Sequence, residues 1–280
     1  MMKYLNYIAF ALFLISCENK IERNLINQKK FVVINGFLSP QDTVLRVQVS
    51  NAISRGTSDD VLEKFLISDK KAYVSISNKE KQKVVLSYSE ASEKYQINAE
   101  KLKILPGEIY SLLVETNGRQ YKASCKIPVS KIEELNFELK EGSSKDKDVE
   151  LKFKDIANID NYYIVEGKII NDRGFESIIS FGSKSLITDK NKDGLSISVI
   201  GETYFCPGIQ SKIVLKVFNS EKCLFEGLER VSLINDNSKD ILRFHSSIIT
   251  PSNIEGKNGY GVFAGYQLTE IKKNLSDFDH

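Results

Sequence analysis

The chain has 280 residues, 41% hydrophobic and 27% charged with no Trp, a composition that fits one or two globular domains and excludes a disordered or collagenous chain. Thirty-nine Lys and Arg against 37 Asp and Glu leave a formal charge of +2. The basic surplus that phosphate neutralisation requires is missing, so nucleic acid is not an expected partner, and two His residues, His245 and His280, leave little for His-based catalysis or zinc.

Residues 1–16 read as a lipoprotein signal peptide. Lys3 supplies the positive start, Tyr7 to Ile15 form an apolar run, and Leu14-Ile15-Ser16-Cys17 closes it. The run is too short to span a bilayer core of about 30 Å, which takes about 20 apolar residues. Its ending resembles a bacterial lipobox, with a Leu three before the Cys and a small Ser directly before it. Cys17 is therefore the expected site of lipid attachment, and acyl chains there would hold the protein on a membrane, each buried CH₂ contributing about 0.8 kcal/mol. Residues 17–30 read as a flexible polar tether.

From Phe31 onward, short β-branched and aromatic runs alternate with turn residues, which predicts a mainly β protein. The expected strands are Phe31 to Phe37, Thr43 to Ser50, Ala72 to Ser77, Lys83 to Tyr88, Lys94 to Ile97, Ile109 to Thr116 and Gln120 to Lys126. Asn117-Gly118 supplies positive φ for a tight hairpin, and Pro106-Gly107 marks a turn before the sixth strand. Seven short strands over residues 31–130 suggest an immunoglobulin-like or transthyretin-like sandwich, of which the immunoglobulin-like form is the expected one. In the second strand Leu45, Val47 and Val49 are expected to face the core, with Arg46 on the other side. Residues 51–70 form a long loop in which Val61, Leu62, Phe65 and Leu66 suggest a short covering helix.

Pro128 ends the first unit, and residues 131–280 read as a second β-rich domain with one helix. Strands are expected at Val149 to Phe153, Tyr162 to Asn171, Glu176 to Phe181, Leu195 to Ile200 and Lys212 to Phe218, with a last one from about Tyr260 to Ile271. Between Ser220 and Asn235, Cys223, Leu224, Leu228, Val231 and Leu233 fall at helical intervals, with Ser220 as the expected N-cap.

Three segments together resemble a family of Bacteroidota lipoproteins known as domain of unknown function 4249. They are FVVINGFLSPQDTVLRVQVS (Phe31 to Ser50), LPGEIYSLLVETNGRQYKASCKIP (Leu105 to Pro128) and SNIEGKNGYGVFAGY (Ser252 to Tyr266). The resemblance implies an outer-membrane lipoprotein often encoded beside a TonB-dependent receptor, and it carries no catalytic residues. Lys257-Asn258 interrupts the Gly-Gly pair the family usually has at that turn. Gly256, Gly259, Gly261 and Gly265 allow positive φ or close backbone approach, which suits a tight bend packed on the sandwich or a platform against a receptor barrel.

Asp189, Asn191 and Asp193, followed by Gly194, space oxygen donors as in the first half of a calcium-binding loop. The closing acid is missing, because the twelfth position is Ile200, and Lys190 and Lys192 oppose a cation. A polar β-hairpin turn is the preferred reading, and no cofactor is expected beyond the lipid on Cys17. Among the remaining Cys residues, Cys206 and Cys223 could bridge, closing a loop of about 17 residues worth roughly 3 kcal/mol. Cys125 reads as a small buried apolar residue. His245 lies next to two Ser residues, but no G-x-S-x-G elbow exists in the chain.

The expected function is a non-catalytic binding subunit of a TonB-dependent receptor system, anchored in the outer membrane through Cys17. The alternatives are a structural or adhesive envelope protein and a carboxylate-based hydrolase.

Overall fold

A computed structural model of the chain describes residues 30–53, 66–141, 147–203, 211–234 and 252–275. The protein is mainly β, as its sequence predicts. The strands are β1 (Lys30–Leu38), β2 (Val44–Ile53), β3 (Ile67–Ser68), β4 (Tyr73–Asn78), β5 (Lys83–Ser89), β6 (Lys94–Asn98), β7 (Ile109–Thr116), β8 (Arg119–Lys126), β9 (Leu135–Glu141), β10 (Lys147–Lys154), β11 (Tyr162–Asn171), β12 (Glu176–Ile178), β13 (Leu186–Thr188), β14 (Ser196–Thr203) and β15 (Ser211–Ser220). Helix α1 (Lys222–Ile234) follows, then β16 (Gly259–Tyr260) and β17 (Phe263–Asn274).

The amino-terminal strands form one antiparallel run in the order β1-β2-β6-β5-β4-β7-β8. Asn117 (φ 51°) and Gly118 (φ 69°) both sit at positive φ between β7 and β8, which is the turn that the natural strand twist selects for a two-residue hairpin. Leu45, Val47 and Val49 point inward as the alternation predicts, while Arg46 is exposed. The run curls on itself, so residues from both of its ends, Ile34 and Val47 at one and Leu112 and Ala123 at the other, share one core. The carboxyl-terminal chain bridges the gap: Lys122 in β8 exchanges two main-chain hydrogen bonds with Glu255 (2.9 and 2.7 Å), and β16, a few residues on, pairs parallel to β1.

β17 runs parallel to β1 and antiparallel to β15, so the sheet continues through β15 into β11 and the edge strands β12 and β13. A separate sheet, β14-β10-β9, covers one face of this half, with Leu151, Phe153, Ile197 and Val199 packed on Tyr163, Val165, Leu215 and Val217. Helix α1 covers the other face with Leu224, Phe225, Leu228 and Val231 against Ile164, Phe218, Val262 and Ala264. Being covered on both sides explains why β15 reads as a nearly continuous apolar run.

The expected helix is present, but its start differs. Ser220 is the last residue of β15, and its hydroxyl donates to the Tyr162 carbonyl at 3.1 Å instead of capping. The main-chain carbonyl of Glu221 accepts the first helical bonds, from the N–H groups of Leu224 and Phe225. The strand expected over Glu176 to Phe181 stops at Ile178, with Ser180 bridging to Glu202. The covering helix expected from Val61, Leu62, Phe65 and Leu66 falls outside the described residues except for Leu66, which lies in no helix and directly precedes β3.

Candidate functional site

Two connections meet where the small sheet joins the large one. Asp155 follows β10 directly and is 4% exposed. Its Oδ1 accepts from the Tyr163 hydroxyl (2.6 Å) and its Oδ2 from the Gly194 N–H (2.7 Å). Burial, and then the bond to Asp155, push the Tyr163 phenol well above its ordinary value, so it stays protonated and donates. Asp189 Oδ2 accepts from the Asn161 N–H (2.9 Å), and Asp193 Oδ1 from the Asn158 N–H (2.7 Å). Carboxylate oxygens of Asp155, Asp189 and Asp193 all lie within 4.8 Å of one another.

The segment carrying Asp189, Asn191 and Asp193 is not the hairpin turn that the sequence suggests. It leaves β13, which pairs with β11 in the large sheet, and enters β14, which pairs with β10 in the small one. Two successive turns make the crossing, with Lys192 N–H donating to the Asp189 carbonyl (2.6 Å) and Leu195 N–H to that of Lys192 (2.8 Å). Asn191 (φ 65°) and Gly194 (φ 69°) take the positive-φ positions. Asn191 is exposed at the turn, and the third converging acid is Asp155, which no local spacing announces.

A second cluster ties the carboxyl-terminal segment to the first core. Asn253 mimics a strand partner: its Oδ1 accepts from Phe263 N–H (2.9 Å) and its Nδ2 donates to the Phe263 carbonyl (2.7 Å). The glycines of this segment stand where a side chain would collide with the protein itself. A Cβ at Gly256 or Gly259 would lie 2.5 or 2.7 Å from the Tyr121 ring, and one at Gly265 would lie 2.7 Å from the Lys126 carbonyl. Of the two readings of these glycines, the close-packed bend is the one the contacts support. Glu221, half-buried before α1, accepts from Lys126 N–H (2.8 Å) and Gly265 N–H (2.6 Å).

A third site joins the β1–β2 turn to β17. Asp42 accepts from the Tyr266 hydroxyl (2.9 Å) and from Ser39 N–H (2.8 Å). Burial pushes the Asp42 carboxyl up to about 6, against the opposing pull of Tyr266, Ser39 and Arg46. A carboxyl raised above its unfolded value of 3.8 stabilises the fold fully below that value, and the benefit is lost as pH rises through about 6. For a half-buried residue the loss is about 2 kcal/mol. Asp42→Asn, a neutral isostere, is therefore expected to flatten the decline between about pH 4 and pH 7 and to exceed the parent by about 1 to 2 kcal/mol above it. Thermal unfolding across that range checks this, and an unchanged slope would sink it. Glu150 does not mask the effect: Lys140, then Ser198 and Lys152, hold it down at about 2, so its contribution is lost only as pH falls below 4.5.

Cys125 is 2% exposed in the first core, and burial pushes its thiol well up. Cys223 lies in the first turn of α1, half-buried, its thiol pushed up to about 12 chiefly by burial. Cys17, Cys206 and His245 lie outside the described residues, and with Cys206 goes the expected bridge to Cys223. Among the described residues no helix is long and apolar enough to cross a membrane.

No curated protein matches the chain. A family model does, over residues 18–272, which spans both cores, the acidic crossing and the glycine-rich segment. The chain therefore belongs to the family described as domain of unknown function DUF4249.

Proposed function

We propose that this protein is an outer-membrane lipoprotein, anchored through Cys17, that acts as a non-catalytic binding subunit beside a TonB-dependent receptor of a Bacteroidota cell, in nutrient capture or in assembly of the transport complex. The observation that carries this reading is the Cys at the end of a short apolar leader, followed by a short polar stretch before β1 begins at Lys30. Acyl chains on that Cys restrict the folded part to a lipid surface, where its partners are membrane-bound molecules. The continuity of the large sheet supports a rigid platform, because β17 locks the carboxyl-terminal half to β1.

A glycoside hydrolase needs two carboxyl groups spaced about 5 to 9 Å around the scissile bond. The acids that converge here are closer, within 4.8 Å, and each is bonded to a loop N–H group. That geometry supports a loop staple over a separated acid/base pair.

Cys17→Ala is expected to move the protein from the membrane fraction to the soluble one. Crosslinking in intact cells is expected to recover the parent protein with a large barrel protein in near-equal amount. Mass spectrometry that finds an unmodified Cys17 thiol, or crosslinks that reach no receptor, would overturn the reading.

A further inference from the structure

Resting on the anchoring of Cys17 argued above, we propose that the end of the first sheet where β1 begins is a lipid-facing surface, laid on phospholipid headgroups with Ile67 entering the apolar boundary and Lys71 and Arg119 meeting lipid phosphates. Thirteen residue steps separate Cys17 from Lys30, where β1 starts, and a chain of that length spans at most about 45 Å. The opposite end lies beyond that reach. β16 and β17 follow one another beside β1, parallel and in one register from Val32 opposite Gly259 to Leu38 opposite Gly265. β17 then continues to Asn274, which puts Lys30 and Asn274 about 50 Å apart along the strands. The β11–β12 hairpin turns at that far end, since Asn274 pairs with Lys212 and Lys212 with Ile170. The anchored protein can therefore stand on the β1 end but not on the hairpin end.

Several elements meet at the β1 end, and Asp69 fixes them. It is 8% exposed and accepts from the Thr116 hydroxyl at the end of β7 (2.5 Å), from Asn51 Nδ2 in β2 (3.2 Å) and from the Lys71 N–H (3.0 Å). Asn51 in turn accepts from Asn117 Nδ2 in the β7–β8 turn (3.3 Å) and pairs with Ile67 in β3. Arg119 stands opposite Thr116 in the β7–β8 ladder. One hydrogen-bonded frame thus carries Ile67, Lys71 and Arg119 at the same end of the sheet.

The side chains suit that place. Ile67 is 62% exposed, and Phe31 and Tyr260, half-buried and edge to face with ring centres 5.3 Å apart, stand at the same end. Apolar and aromatic groups beside cations match the boundary between headgroups and acyl chains. The nearest acids are engaged: Glu90 pairs with Lys70 (2.5 Å), Glu93 acts on the same Lys, and Glu115 accepts from Gln120 Nε2 (2.7 Å). Lys71 and Arg119 are exposed and enter none of the ion pairs among the described residues. A weak surface suffices here, because a short tether holds it against the bilayer at an effective concentration of about 1 mM.

The test uses the acylated protein purified from membranes and placed in vesicles of phosphatidylethanolamine and phosphatidylglycerol, with and without brominated acyl chains. The chain holds no Trp, so Ile67→Trp or Phe175→Trp introduces a sole indole reporter, and Phe175, 70% exposed in the β11–β12 turn, reports the far end. Both positions are exposed, and both variants are expected to keep the parent's melting temperature. The expected result is loss of emission to brominated lipid at position 67 and none at position 175, with the loss at 67 reduced when Lys71→Glu and Arg119→Glu are added. Flotation separates this surface from the anchor. Protein that does not float with the vesicles refutes the anchor, and this surface with it. Protein that floats but shows no quenching at position 67, equal quenching at both positions, or quenching undiminished by the charge reversal refutes the surface and leaves the anchor standing. A photo-crosslinker at position 67 that captures a protein instead of lipid in intact cells would overturn the proposal as well.

Discussion

Gly261→Ala is expected to destabilise the protein by about 3 kcal/mol or more, the sum of an unfavourable backbone region and a collision that cannot relax. Gly261 has φ 112°, and a Cβ there would stand 2.1 Å from the Ile34 carbonyl oxygen and 2.7 Å from Asn35 Oδ1. Neither neighbour is free to retreat. Ile34 is fully buried in β1, and Asn35 Oδ1 accepts from Val262 N–H at 3.1 Å. The Val262 carbonyl in turn accepts from Gly36 N–H at 3.0 Å, so the displaced strand would drag the β1–β17 pairing with it. Gly118→Ala serves as the control: its φ is 69°, nothing lies within 4 Å of the added carbon, and its cost should stay near about 1 kcal/mol. Chemical denaturation of both variants checks the contrast. Equal losses would mean that the close approach to β1 carries no energy.

Removing the Glu221 carboxylate is the second large effect. Glu221→Ala is expected to cost about 2 to 3 kcal/mol, because it strips a charged acceptor from two main-chain donors at once. Lys126 N–H belongs to β8, Gly265 N–H to β17, and Glu221 itself stands between β15 and α1. The group thus holds three elements at one point. Gly265 is buried, so its orphaned N–H would have no water to turn to, whereas the exposed Lys126 position recovers more easily. Burial raises the Glu221 carboxyl above its ordinary value despite the bonds from Gly265 and Lys126. Its ionised form is therefore penalised in the fold, and the contribution declines as pH rises through the folded value, in the same direction as Asp42. Glu221→Gln keeps one acceptor and should lose less than the alanine variant while removing this pH dependence. Urea titrations at two pH values separate the cases, and an alanine variant as stable as the parent would refute the assigned role.

Much of the local structure was legible because it rests on local rules. Alternation placed Leu45, Val47 and Val49 inward, and Asn117-Gly118 announced the β7–β8 hairpin through its tolerance of positive φ. Helical spacing between Cys223 and Val231 located α1, although the N-cap was misassigned to Ser220, whose hydroxyl finds the Tyr162 carbonyl across the sheet. A side chain that caps a helix and one that bonds a neighbouring strand look the same in sequence. At the acidic crossing, Asp189 and Asp193 stood out through their spacing in one turn. Asp155 did not, since its place in the cluster comes from the β10–β14 pairing and not from any neighbour along the chain.

The sequence by itself determined the strand-rich class, which face of most strands is apolar, the tight turns and the helix after β15, because each follows from a period or a dihedral preference within a few residues. The tertiary structure alone decided that β17 lies parallel to β1, that the segment from Glu255 to Tyr260 closes the first curled sheet, and that the strands after β8 divide between a large and a small sheet. A strand's pattern states which side it buries but carries no address for its edge. Partners there are chosen by shape and by main-chain hydrogen bonds over long separations, and Gly261 and Asn253 became interpretable only once those partners were in place.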